Sequence, residues 1–95
     1  MAHRVVWARR ASQDLEAIAS YIAADSPAYA SIVLKRIVHL SKTLTRFPRS
    51  GRKVPEFENE NIRELLVYSY RVIYRIEGSE VTIAAVIHGK RDLGT

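Results

Sequence analysis

The sequence predicts an α+β fold, in which an N-terminal strand and an α-helical hairpin pack on a three- to four-stranded antiparallel sheet. Two stretches in the first half repeat their apolar residues with helical period and are separated by Asp25-Ser26-Pro27. Two stretches in the second half alternate with period two and are joined by Gly78-Ser79. The change of period falls at Phe47–Pro55, where two prolines and a glycine interrupt every pattern. Helices followed by strands, rather than alternating with them, place the helices on one face of an antiparallel sheet.

Each element has its own signature. Arg4 to Trp7 is a short strand, because Val5 and Val6 are β-branched and Trp7 is aromatic. From Arg9 to Ala24, the residues Ala11, Leu15, Ile18 and Ile22 form the stripe of an amphipathic helix, with Asp14 and Glu16 placed early where the helix dipole favours anions. Ser26 then caps a second helix and Pro27 occupies its first position, where a missing N–H costs nothing. Ala30, Val33, Ile37, Leu40 and Leu44 carry that helix to Arg46, a length of roughly 30 Å at 1.5 Å per residue. The turn between the helices is too short for anything but an antiparallel hairpin. Ile62 to Tyr68 is apolar on both faces and reads as a central strand. Gly78-Ser79 is a two-residue turn with glycine first, which sets Ile76 opposite Val81, Tyr74 opposite Ile83 and Val72 opposite Ala85 on the core face. The other face then carries Arg71, Ile73, Arg75, Thr82, Ala84, Val86 and His88.

Size and composition narrow the function. A chain of 95 residues makes one domain, 1–95, and buries only about 60–65% of its unfolded surface, which leaves no room for a cofactor-binding lobe. Dehydrogenases, kinases and barrel enzymes are excluded on size. With no cysteine there is no disulfide scaffold, thiolate zinc site or Cys nucleophile, and a cytoplasmic location is expected. No signal-peptide core or membrane-length apolar run is present in the sequence. No spacing of His, Asp or Glu builds a convergent ligand set, so neither a metal nor an organic cofactor is expected.

The net charge of +5 is unevenly placed. Between Ser26 and Pro55 there are seven cations and no acid, whereas Glu56, Glu58, Glu60 and Glu64 then face only Arg63. Lys35, His39, Lys42 and Arg46 recur at i, i+4, i+7 and i+11, a basic ridge on the second helix opposite its apolar stripe. Such a ridge suits an anionic partner, and it equally suits a helix side that faces only solvent. The glutamate cluster reads as a solvated loop.

The ordered set Val6-Trp7, Tyr21-Ile22, Asp25-Ser26-Pro27, Phe47-Pro48, Gly51-Arg52, Pro55-Glu56, Arg63-Glu64-Leu65, Tyr70–Tyr74 and His88-Gly89-Lys90-Arg91-Asp92 resembles the RelE/ParE toxin superfamily of type II toxin–antitoxin modules over nearly the whole chain. That resemblance implies the same two-layer fold and two alternative activities. RelE-like members cut messenger RNA on the ribosome, without a metal; ParE-like members make no cut and trap DNA gyrase on broken DNA. RNA cleavage requires a base, an acid and phosphate-binding cations, and the residues available for it are His88, Tyr70, Arg63 and Arg71, with Tyr68 as another hydroxyl. The tail His88-Gly89-Lys90-Arg91-Asp92 is similar to the ParE-like branch, which favours a non-enzymatic toxin related to plasmid stabilisation. On that reading Arg63, Arg71, His88, Lys90 and Arg91 are exposed cations that meet gyrase, probable contacts being its A subunit and its DNA. The resemblance also implies a cognate ParD-like antitoxin in a hetero-oligomeric complex, docked along the two helices and the sheet edge. A basic nucleic-acid-binding domain without toxicity is the third reading.

Overall fold

A computed structural model describes residues 2–90. The elements are β1 (Arg4–Trp7), α1 (Arg9–Ala23), α2 (Pro27–Lys42), a single 3-10 turn (Thr43–Thr45), β2 (Arg52–Lys53), β3 (Ile62–Val67), β4 (Tyr70–Glu77) and β5 (Glu80–His88). They form an α+β domain with two helices packed on one face of a five-stranded mixed sheet of order β1-β5-β4-β3-β2.

The helices form for the reasons their residues supply. The Ser26 hydroxyl accepts the Tyr29 N–H at 3.1 Å and Pro27 begins α2. Ala30, Val33, Ile37 and Leu44 are buried against the sheet, each large one stabilising the fold by about 1.5–3 kcal/mol. On α1 only Ala11 and Ile22 are buried, and Leu15 and Ile18 are partly covered. Asp14 and Glu16 lie beyond the first turn of α1, which contains no acid, so the expected dipole role does not apply; the Asp14 carboxylate instead accepts the Val86 N–H at 3.0 Å and joins α1 to β5.

The sheet departs from the expected one in four respects. First, β1 pairs parallel to β5, with Val5 opposite Val81 and Trp7 opposite Ile83, so the sheet is mixed. Second, the middle strand is β4, and β3 lies inside the sheet between β4 and the two-residue β2, with Leu66 exposed on its outer face. Third, the connector contributes a short strand, β2, paired with β3. Fourth, the register read from the Gly78-Ser79 turn holds only to Tyr74–Ile83; a bulge follows and sets Ile73 opposite Ala85 and Val72 opposite Val86. Val86 therefore joins the helix-side core, and Ala85 and Ile87 join Ile73 on the outer face. Tyr70 lies opposite His88.

The outer face is itself partly covered. Val54 of the connector packs with Ile73, Ala85, Ile87 and Ile62 in a second, smaller apolar cluster. Tyr74 secures the connector from the other side: its fully buried hydroxyl donates to the Pro48 carbonyl at 2.7 Å and accepts the Gly51 N–H at 3.0 Å. A Cβ at Gly51 would stand 2.5 Å from the Glu64 carbonyl oxygen, so only glycine permits this approach. Among the described residues no helix is long and apolar enough to cross a membrane.

Candidate functional site

The end of the sheet where β3 turns into β4 and β5 finishes collects the candidate residues. Val67 pairs with Tyr70, leaving Tyr68-Ser69 as a two-residue turn. Tyr68 has φ +53°, the left-handed region that a bulky aromatic enters only at a cost, while its ring stays 57% exposed. The Gly89 N–H donates to the Ser69 carbonyl at 2.6 Å and ties the end of β5 to this turn. Tyr70 and His88 stand edge to face with ring centroids 5.8 Å apart. The His88 Nδ1 accepts the Lys90 N–H at 3.2 Å.

Two further aromatics come from the helices and are not distinguished by the sequence pattern. Tyr29 tilts against Tyr68 with centroids 6.3 Å apart, and Tyr21 is 79% exposed beside Ile18, Tyr70 and His88. Both fall outside the buried stripes of their helices, the one signal that could have marked them. Burial, with smaller contributions from the neighbouring Tyr29 and Tyr21 phenols, pushes the Tyr70 phenol above its ordinary value. Tyr70 is thereby a hydrogen-bond donor at neutral pH and a poor base.

The arginines expected to join this surface as exposed cations are placed otherwise. Arg71 is buried, at 4% exposure. Its guanidinium holds Glu56 through two bonds of 2.8 and 2.7 Å, and its Nε donates to Glu64 at 2.6 Å. Glu64 is fully buried and receives Arg52 at 2.5 Å on its other oxygen. These four residues make a neutral chain across the outer face, which corrects the reading of the glutamates as merely solvated. Paired with two carboxylates, Arg71 is held well above the ordinary arginine range, the Glu56 bonds being the largest cause. Arg63 lies on the helix side of β3, beside Tyr74, and donates to the carbonyls of Glu60 at 2.9 Å and Gly51 at 2.9 Å. Arg75 pairs with Glu77. Of the expected group, His88 and Lys90 are exposed at the sheet end; Arg91 lies outside the described residues.

The structure thus brings together Tyr21, Tyr29, Tyr68, Tyr70, His88 and Lys90, with Leu66 exposed alongside and the carboxylate-paired Arg71 and Arg52 bordering the same depression. It separates from them the basic ridge of Lys35, His39 and Lys42, which lines a depression on the outer side of α2. Beside the tyrosines, β5 continues past the last residue paired with β1, and among the described residues no strand covers that edge from Ala84 to His88. The Val86 N–H on that edge is already taken by Asp14 of α1, so the exposed aromatics beside it suit the apolar face of a partner helix better than an added strand.

Comparison with known proteins agrees with this architecture. The family described as ParE toxin of type II toxin-antitoxin system, parDE, matches residues 5–93. Toxin ParE3 of Caulobacter vibrioides is 30% identical over 91 residues, covering 95% of this chain and 90% of that protein. Toxin RelE2 of the same organism is 33% identical over 89 residues, covering 93% and 97%. Among solved structures, a chain of the chromosomal ParDE system from P. aeruginosa superposes with a TM-score of 0.75 at 26% identity, covering 92% of this chain and 96% of that one. A chain of the toxin–antitoxin complex RelBE2 from Mycobacterium tuberculosis shares the fold with a TM-score of 0.65 at 23% identity, covering 93% and 92%. With a family match over nearly its whole length and the same helix hairpin on the same sheet, the chain belongs to the ParE toxin family of type II toxin–antitoxin systems, within the RelE/ParE superfamily.

Proposed function

We propose that this toxin acts by binding rather than by catalysis, trapping DNA gyrase on cleaved DNA in the manner implied by its ParE-like tail. The observation that carries this reading is the state of the arginines. RNA cleavage by 2′-hydroxyl attack needs cations aimed at the phosphate beside an acid and a base. Arg71 borders the depression that holds Tyr70 and His88, but its guanidinium is engaged by Glu56 and Glu64, and Arg63 is spent on backbone carbonyls, so neither offers an uncompensated charge to a phosphate there. A surface of exposed aromatic rings around His88 and Lys90 instead has the composition of a protein-binding patch. A toxin of this kind alters gyrase by favouring one of its conformations, which requires tighter binding to that state.

The same surface supports a ParD-like antitoxin as its neutralising partner. Ala17, Ile18 and Tyr21 of α1 border one depression with Tyr70 and His88, a seat for an amphipathic segment of opposite charge that is ordered on binding. Substitution of His88 by Ala separates this proposal from RNA cleavage. Primer extension on messages from cells expressing the toxin is expected to reveal no codon-positioned cuts with either the wild type or His88→Ala. Cuts that appear with the wild type and vanish with His88→Ala would establish the RNA-cleaving alternative.

A further inference from the structure

The net positive charge does not reside where the arginines are densest. On the sheet, Arg52, Arg71 and Arg75 are neutralised by Glu64, Glu56 and Glu77, and on α1 Arg10 faces Asp14. Helix α2 contains no acid at all, and Lys35, Lys42 and the following Arg46 are exposed and make no ion pair among the described residues. Lys35, His39 and Lys42 border one depression, on the side of α2 turned away from Val33 and Ile37. This ridge is therefore a run of positive charge that no acid of its own helix offsets.

From this we infer that the ridge Lys35–His39–Lys42–Arg46 is a docking surface for the phosphate backbone of duplex DNA, a property of the toxin alone that goes beyond the choice of its protein target. Lys35 and Lys42 stand about 10 Å apart along a rigid helix at 1.5 Å per residue. That span matches about three successive phosphates of one strand, which rise 3.4 Å each along the duplex axis. A single strand is a poorer fit, because the exposed ring of Phe47 beside Arg46 is one stacking platform at the end of the ridge, and Lys35, His39 and Lys42 have none beside them for successive bases. An acidic peptide is a poorer fit: the ridge depression offers only Leu34 and Val38 as apolar lining, and the exposed tyrosines that would anchor a peptide lie at the sheet end instead. Backbone contact of this kind carries no base sequence information.

The test is fluorescence anisotropy of a labelled 30-base-pair duplex with the full-length toxin, without gyrase, across 50–200 mM salt. Three cations on phosphates predict a slope of log K against log salt near about −2.7. The triple variant Lys35→Ala, Lys42→Ala, Arg46→Ala is expected to bind at least about tenfold more weakly at 50 mM salt and to lose most of that slope. Charge-conserving Lys35→Arg, Lys42→Arg, Arg46→Lys is expected to retain binding. A control removing the same charge elsewhere, Arg4→Ala, Arg9→Ala, Lys53→Ala, is expected to stay within about twofold of the wild type. Equal losses in the ridge variant and the control would overturn the inference, since net charge alone would then account for binding. Tighter binding of a single strand of equal length, or equal displacement by polyglutamate at matched charge, would overturn it in favour of those partners. Because gyrase is absent from the assay, failure here leaves the target reading untouched, and the reverse also holds.

Discussion

Arg71 is the residue on which structure and sequence diverge most. Three hydrogen bonds to two carboxylates make it a structural residue, and its removal strands the fully buried Glu64 with a single half-exposed partner, Arg52. Breaking a buried ion pair from one side costs about 3–5 kcal/mol. Arg71→Ala is therefore expected to lower the urea midpoint by that equivalent, with any loss of toxicity following from unfolding, whereas His88→Ala should leave the midpoint within about 0.5 kcal/mol. Tyr74 gives a second check. Tyr74→Phe leaves the Gly51 N–H and Pro48 carbonyl without their partner, a cost of about 1–3 kcal/mol. Burial holds the Tyr74 phenol above its ordinary value of about 10, so the neutral form belongs to the fold. That contribution is fully present below pH 10 and fades as pH rises above it; the alkaline loss of stability should be shallower in Tyr74→Phe. Neither role was legible in the sequence, because Arg71 alternates outward like any surface residue and its carboxylates lie 7 and 15 positions away. The exposure of His88 and Lys90 was legible, since both follow the last apolar residue of β5.

The elements themselves were largely legible. The helix starts fall where the stripe and Ser26-Pro27 place them, but α2 ends at Lys42 rather than Arg46, its last apolar contact, Leu44, coming from the 3-10 turn Thr43–Thr45; the β4–β5 turn forms at Gly78, whose φ of +58° requires little of a glycine. The register beyond Tyr74 was not, because an inserted residue near Ala84 shifts every later side chain to the opposite face, and two adjacent alanines give no pattern to reveal it. The parallel pairing of β1 also escaped the sequence, since a four-residue strand carries no sign of direction. At the β3–β4 turn, local preference and structure conflict. A tyrosine occupies a left-handed position that glycine or asparagine would fill at lower cost, and such strain tends to be retained at functional sites. Tyr68→Gly is accordingly expected to leave thermal stability nearly unchanged, relief of strain offsetting the lost Tyr29 contact, while weakening antitoxin binding by about tenfold or more in calorimetric titration. A marked fall in stability with unchanged binding would assign Tyr68 to the fold alone.

Across the whole molecule, charge and aromatic surface are divided between two regions. The tyrosines, His88 and Lys90 occupy the sheet end, and a run of cations without an acid beside it occupies the outer side of α2. A domain of 95 residues achieves this without a deep pocket, which suits a protein that grips larger partners by its surface. The central claim is that this grip falls on gyrase. It is tested most directly by incubating the purified toxin with gyrase, ATP and supercoiled plasmid, then denaturing and digesting the protein and measuring linear DNA. The account predicts linear DNA that rises with toxin, requires gyrase and is suppressed by prior addition of the antitoxin. Unchanged supercoiling with no linear product, alongside ribosome-dependent cuts in messenger RNA, would contradict it.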